Sequence, residues 1–229
     1  ETIKVTYKGE LPPYVGGKDL ILMLISKIGI DGATYKAIEF DGEAISQLSM
    51  DSRFTLANMS IEAGAKCGMM GPDEKTIQYM ERCVRLYTIY KPDPDAVYAQ
   101  EIEFDVTGME PLVAVPHLPE NVKPVSEVEK EKVHLDQVFI GSCTNGRLED
   151  IRIAAEILRG RKVHDRTRMI VIPGSQDVYL AALKAGYIET LIEAGVAVGT
   201  PSCGPCVGGH MGVLASGEVC ASTTNRNFQ

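Results

Sequence analysis

The second half of the chain alternates short apolar runs with helical stretches, and this alternation constrains the fold most. Gln137-Val138-Phe139-Ile140-Gly141 is an apolar run, followed by Leu148 to Leu158 with Ile151, Ala154, Ala155 and Leu158 at helical spacing. Met169-Ile170-Val171-Ile172 is a second run, followed by helical stretches over Ser175 to Ala185 and Ile188 to Ala194. Val196-Ala197-Val198 is a third. Strands alternating with helices predict a parallel sheet with helices on its faces, because parallel neighbours need a crossover connection. Loops that follow parallel strands emerge on one edge, where α/β proteins hold their ligands. Two such loops carry cysteine: Gly141-Ser142-Cys143-Thr144-Asn145 and Pro201-Ser202-Cys203-Gly204-Pro205-Cys206. Cys143 is therefore expected to meet Cys203 and Cys206, although 60 positions separate Cys143 from Cys203.

The first half reads as a second α/β arrangement. Thr2 to Lys8 alternates Ile3, Val5 and Tyr7 with polar residues, the pattern of a half-buried strand. Lys18 to Ile28 is helical, Tyr35 to Phe40 a strand, and a short helix starts at Glu43. The run from Asp51 to Ala65 predicts a helix capped by Ser52 and ended near Gly64. Asn58 and Glu62 lie four apart, on one helical face. A further helix is expected from Asp73 to Tyr90, with Ile77, Met80, Val84 and Tyr87 on one face, and a strand from Glu101 to Val106. The charged segment from His117 to Lys132, with Pro119 and Pro124, reads as a linker. The expected organisation is two α/β domains, residues 1–122 and 123–229.

The 229 residues, 45% hydrophobic, suffice for two cores, and 24% charge is an ordinary folded composition. The net charge of -8 argues against a general nucleic-acid binder. No run approaches the ~18 apolar residues of a membrane span, and no signal peptide is visible. Six cysteines are too few for a disulfide scaffold and suit a reducing, cytoplasmic compartment. The chain opens on Glu1 rather than Met, and a strand-like Val219 to Ser222 runs almost directly into its end at Gln229. It reads as a piece of a longer protein.

A Cys-x-x-Cys pair alone is a weak signal: a redox pair, half a zinc site or two packed thiols. With Cys143 and His210 it could form a zinc site. Three thiolates could instead hold three corners of a cubane iron–sulfur cluster, leaving the fourth iron free, unlike the four-cysteine electron carriers. Spacing leaves these alternatives open. In Asn225-Arg226-Asn227 the guanidinium suits a carboxylate, which arginine grips by two parallel hydrogen bonds. A surface arginine is the plainer reading, as a solvated helix face is for Asn58 and Glu62.

Several motifs together resemble the aconitase superfamily: Gly141-Ser142-Cys143-Thr144-Asn145, Cys203-Gly204-Pro205-Cys206 and Ser222-Thr223-Thr224-Asn225-Arg226-Asn227-Phe228. Gly32-Ala33-Thr34-Tyr35-Lys36-Ala37-Ile38-Glu39 and Leu56-Ala57-Asn58-Met59-Ser60-Ile61-Glu62-Ala63-Gly64 resemble its isopropylmalate dehydratase and homoaconitase large subunits. The resemblance covers nearly the whole chain, in order.

It implies two domains of the aconitase iron–sulfur type and a 4Fe–4S cluster on Cys143, Cys203 and Cys206. The open iron would bind a hydroxy-carboxylate and act as a Lewis acid in a dehydration and rehydration. Glu62 and Asn58 match active-site positions, with Glu62 hydrogen-bonding the hydroxyl or water. Asn225 would lie against the cluster and Arg226 would bind a substrate carboxylate. Isopropylmalate, in leucine biosynthesis, is the leading substrate; homoaconitate and citramalate are the alternatives. The family's Asp-Ser-His motif does not occur here, and its second arginine would fall past Gln229. Its serine base belongs to a swivelling domain, in this branch a separate small subunit, so the implied assembly is a heterodimer or heterotetramer. The 229 residues alone are then expected not to turn over.

Overall fold

The computed structural model describes residues 1–83 and 86–225, which fall into two compact units, residues 1–131 and the residues from Lys132 on. The first contains β1 (Thr2–Lys8), α1 (Gly17–Ile28), β2 (Ala37–Asp41), α2 (Glu43–Gln47), α3 (Met50–Asn58), a 3-10 turn (Met59–Ala63), β3 (Cys67–Met70) and α4 (Glu74–Cys83). It continues through β4 (Gln100–Asp105), β5 (Leu112–Ala114), β6 (Val122–Pro124) and α5 (Val125–Lys130). Four strands form a parallel sheet in the order β3-β2-β1-β4. The period-two pattern of β1 turns Ile3, Val5 and Tyr7 into the core, where Leu20, Ile21, Leu24 and Ile25 of α1 pack. The Tyr7 hydroxyl donates to the Leu20 carbonyl at 2.6 Å, and burial pushes its phenol pKa well up.

Three local features differ from the sequence reading. Helix α3 is capped by Ser49, whose Oγ accepts from the Ser52 amide at 3.1 Å. Ser52 instead turns its Oγ to the Gly17 amide, 2.9 Å away, and so clasps the start of α1. The helix expected to reach Tyr90 is described as far as Cys83; residues 86–90 have no regular structure and are exposed, and Val84 lies outside the described residues. None of the α4 residues is buried, so little packing sustains the helix beyond its first turns. The segment read as a linker carries β6 and α5. Strand β6 pairs antiparallel with β5, and the hairpin is tied to α1 by Asp19, which accepts from the Leu112 and Gly16 amides, both at 2.8 Å. Burial raises the Asp19 pKa, against those two hydrogen bonds.

The second unit contains β7 (Gln137–Gly141), α6 (Ser142–Asn145), α7 (Leu148–Leu158), β8 (Arg168–Ile172), α8 (Gln176–Lys184), α9 (Tyr187–Glu193), β9 (Ala197–Val198), a 3-10 turn (Gly204–Val207) and β10 (Cys220–Ser222). Its sheet is parallel throughout, in the order β10-β7-β8-β9. Ile151, Ala155, Val171, Ala182, Ile188 and Leu191 form one core, while Phe139, Ile170 and Ile172 cluster separately. Among the described residues no helix is long and apolar enough to cross a membrane. The parallel sheets with flanking helices are the α/β class expected from the alternation.

The strand order positions the site. From β7 the chain steps outward to β8 and β9, then returns to the other side of β7 as β10. The order thus reverses at β7, and the carboxyl ends of parallel strands at such a reversal bound a ligand crevice. Arg168 and Glu218 brace the return with paired contacts of 2.8 and 2.7 Å, which lower the Glu218 pKa to about 2.

Candidate functional site

Cys143 emerges where β7 ends. Gly141 has φ +148°, and a Cβ there would lie 2.3 Å from the Ile172 carbonyl oxygen, so glycine is required for β7 to lie against β8. The next residue, Ser142, has φ +68°, a conformation rare for a residue with a Cβ. This reversal leaves Ser142 and Thr144 buried while Cys143 between them is exposed. The local backbone therefore presents the thiol outward.

The second cysteine loop follows β9. Cys203 is exposed and precedes the turn Gly204–Val207, in which the Cys206 amide donates to the Cys203 carbonyl at 3.2 Å. Gly204 has φ +57°, and a Cβ there would lie 2.6 Å from Ile172 Cδ1 and 2.9 Å from Phe139 Cζ. The turn rests on the Phe139–Ile172 face with no room for a side chain, and Cys206 is half-buried.

The third strand end joins the other two. After β10, the Thr223 amide donates to the Phe139 carbonyl at 3.0 Å, and Thr223 Oγ1 accepts from the Gly141 amide at 3.2 Å. This extends the β7–β10 pairing to Thr223, two residues before Asn225. Asn225 Oδ1 accepts from Thr144 Oγ1 at 3.3 Å and from the Cys206 thiol at 3.6 Å. Cys143 Sγ lies 3.9 Å from Thr144 Oγ1. One amide thus links both cysteine loops. Arg226 lies outside the described residues.

Among the described residues no three His, Cys, Asp or Glu side chains gather closely enough to hold a single metal ion. A single zinc ion needs all its donors at about 2.0–2.3 Å from one point. A cubane is less demanding, because each thiolate meets its own iron corner. Cys143 and Cys203 are exposed and Cys206 is half-buried, with the Thr144 hydroxyl and the Asn225 amide beside them, and thiols of this kind have the chemistry such a group needs.

Asn58 and Glu62 belong to the first unit. Asn58 is the exposed last residue of α3, and Glu62 is half-buried in the Met59–Ala63 turn. The same unit holds a pair that the sequence reading does not single out. Arg53, 3% exposed, donates to Asp73 through Nη1 at 2.7 Å and Nη2 at 2.5 Å, and to Thr76 Oγ1 at 3.1 Å. The guanidinium holds the Asp73 carboxyl well below the usual range. The available signal was an arginine followed by Phe54, Leu56 and Ala57 within one helix, a charge set among core-facing residues. Thr144 and Ser142 were also passed over, although they flank Cys143.

Comparison with known proteins agrees with this architecture. The chain is 61% identical over 229 residues to a 3-isopropylmalate dehydratase large subunit from Moorella thermoacetica, covering 100% of this chain and 54% of that protein. It is 59% identical to 3-isopropylmalate dehydratase large subunit 1 of Pyrococcus abyssi, with the same coverage. The chain therefore spans about half the length of the curated relatives it matches. The fold resembles the crystal structure of holo aconitase X from Thermococcus kodakaraensis, with TM-score 0.51 at 15% identity over 99% of this chain and 49% of that one. The family model for aconitase (aconitate hydratase) matches residues 1–229, and the chain belongs to the aconitase family.

Proposed function

We propose that this chain is part of the large subunit of an iron–sulfur hydro-lyase that interconverts 2- and 3-isopropylmalate in leucine biosynthesis. One observation supports the reading: Asn225 ties the Cys143 turn to the Cys206 turn at the strand-order reversal, and Cys203 immediately precedes the turn that holds Cys206. The names of relatives at 61% and 59% identity support the reaction class and substrate.

In this proposal Cys143, Cys203 and Cys206 hold a 4Fe–4S cluster, which supplies a Lewis acid for departure and return of a hydroxyl group. The chain's own residues then have separate tasks. The amide of Asn225 keeps the two loops in register and lies against the bound group. Arg226 clamps a substrate carboxylate by two parallel hydrogen bonds. Glu62 hydrogen-bonds the departing hydroxyl or the incoming water and holds its proton, and Asn58 is the second active-site position of its unit. The small subunit supplies the base at the neighbouring carbon and the loop that distinguishes isopropylmalate from homoaconitate or citramalate.

The test is iron and acid-labile sulfide per chain after anaerobic reconstitution, in the native protein and in Cys143→Ser. Near-stoichiometric cluster in the native chain and its loss in the variant support the assignment. A full cluster in Cys143→Ser refutes it. Colourless protein holding one zinc would favour the non-catalytic zinc module. For the whole activity, the large subunit is assayed with its small subunit on isopropylmalate, homoaconitate and citramalate. Turnover by the 229 residues alone would contradict the division of labour.

A further inference from the structure

Ser142 combines two unfavourable features at one position. Its φ of +68° places a residue with a Cβ in the left-handed region. Its side chain is 1% exposed, and its Oγ has no hydrogen-bond partner among the described residues. Nearby hydroxyls do find partners: Thr144 donates to Asn225, Thr223 accepts from Gly141, and Ser222 Oγ lies 2.8 Å from Thr224 Oγ1. The shortage belongs to Ser142. Glycine would relieve the backbone and alanine would remove the unmet hydroxyl, so the fold alone gives no reason for serine. The residue immediately precedes Cys143, and an acceptor arriving with a ligand of that thiol would meet the need.

We propose that the Ser142 hydroxyl is a hydrogen-bond donor to the sulfur of the cluster, either a sulfide or the Cys143 thiolate. The inference rests on the cluster reading above. Sulfur atoms carrying negative charge accept such bonds, and donors to them set the potential and the retention of the group. The unmet hydroxyl of the cluster-free protein is then a pre-formed contact, held in place by the left-handed turn.

The experiment compares native protein, Ser142→Ala and Ser142→Gly. Three quantities are measured: thermal stability without cluster, reduction potential after anaerobic reconstitution, and the rate of iron loss in air. Ser142→Ala is expected to leave cluster-free stability unchanged or raised, to lower the potential, and to speed iron loss ~10-fold. Ser142→Gly, which also lacks the hydroxyl but suits the turn, is expected to shift potential and iron loss in the same direction. A variant that folds without cluster but retains none on reconstitution counts the same way. If Ser142→Ala instead lowers cluster-free stability and leaves potential and iron loss at native values, the hydroxyl is structural and the proposal fails. Native protein that takes up no cluster would overturn the functional reading, and this inference with it. A native cluster unmoved by either substitution would overturn this inference alone.

Discussion

Thr144 Oγ1 donates to Asn225 Oδ1 at 3.3 Å across 81 positions of sequence. Thr144 is buried in the turn after β7, and Asn225 follows β10, so the bond closes the strand-order reversal from its ligand edge. Because Asn225 Oδ1 also accepts from the Cys206 thiol, a single amide oxygen holds both cysteine loops.

Breaking this link should be measurable without any cluster. Asn225→Ala and Thr144→Val are each expected to cost about 1 kcal/mol in urea unfolding. The double variant should cost less than their sum by about 0.5 kcal/mol or more, because both remove one shared bond. Additive losses would mean that the bond carries no coupling in solution.

Arg53→Ala should be more damaging. It removes an almost fully buried guanidinium and leaves Asp73 without its main partner. Since Asp73 is about a third exposed, the lower part of the buried-pair range applies, about 2–3 kcal/mol. The pair also predicts a pH effect of definite sign. The Asp73 pKa is depressed in the folded state, so its contribution is fully present above the ordinary carboxylate pKa of about 4 and is lost as pH falls below it. Denaturation midpoints between pH 5 and pH 2 should fall more steeply in the native protein than in Asp73→Asn.

Gly204→Ala tests the seat of the second cysteine loop. The added Cβ would meet Ile172 Cδ1 and Phe139 Cζ inside contact distance and adopt φ +57° as well. A loss of about 1–3 kcal/mol is expected, with iron uptake on reconstitution reduced more than helix content by circular dichroism. Unchanged uptake would show that the loop tolerates displacement from the sheet.

Asp19→Ala should loosen the β5–β6 hairpin selectively. The carboxylate accepts from the Leu112 and Gly16 amides, so its removal leaves both without that acceptor, at a cost of about 1–3 kcal/mol. Hydrogen exchange at Leu112 should accelerate while the β1 amides remain protected. Equal acceleration in both would make the hairpin part of one cooperative unit with the sheet.

Much of the fold was legible because it is local. The two-residue period of Thr2 to Lys8 and the apolar runs at Gln137 to Gly141 and Met169 to Ile172 each appear as strands within a residue or so of expectation. The errors fall where a local signal was outweighed. Ser52 looks like a cap, but its hydroxyl serves the neighbouring helix, and Ser49 caps instead. The amphipathic stretch to Tyr90 has the right period, yet residues 86–90 are not helical and no residue of α4 is buried. The β5–β6 hairpin is too short to announce itself, and a carboxylate 93 positions away from Leu112 secures it.

The same division holds for the site. Residue order and period are enough to say that Cys143 follows one parallel strand and that Cys203 and Cys206 follow another, hence that they share an edge; parallel pairing has a direction, and direction is readable from alternation. Which contacts join the loops is not readable that way. The Asn225 amide between Thr144 and Cys206, the unmet hydroxyl of Ser142, and the Arg53–Asp73 pair all arise from segments brought together in space. Burial and hydrogen-bond supply at a point depend on every chain segment that reaches it, so these features exist only in the folded chain.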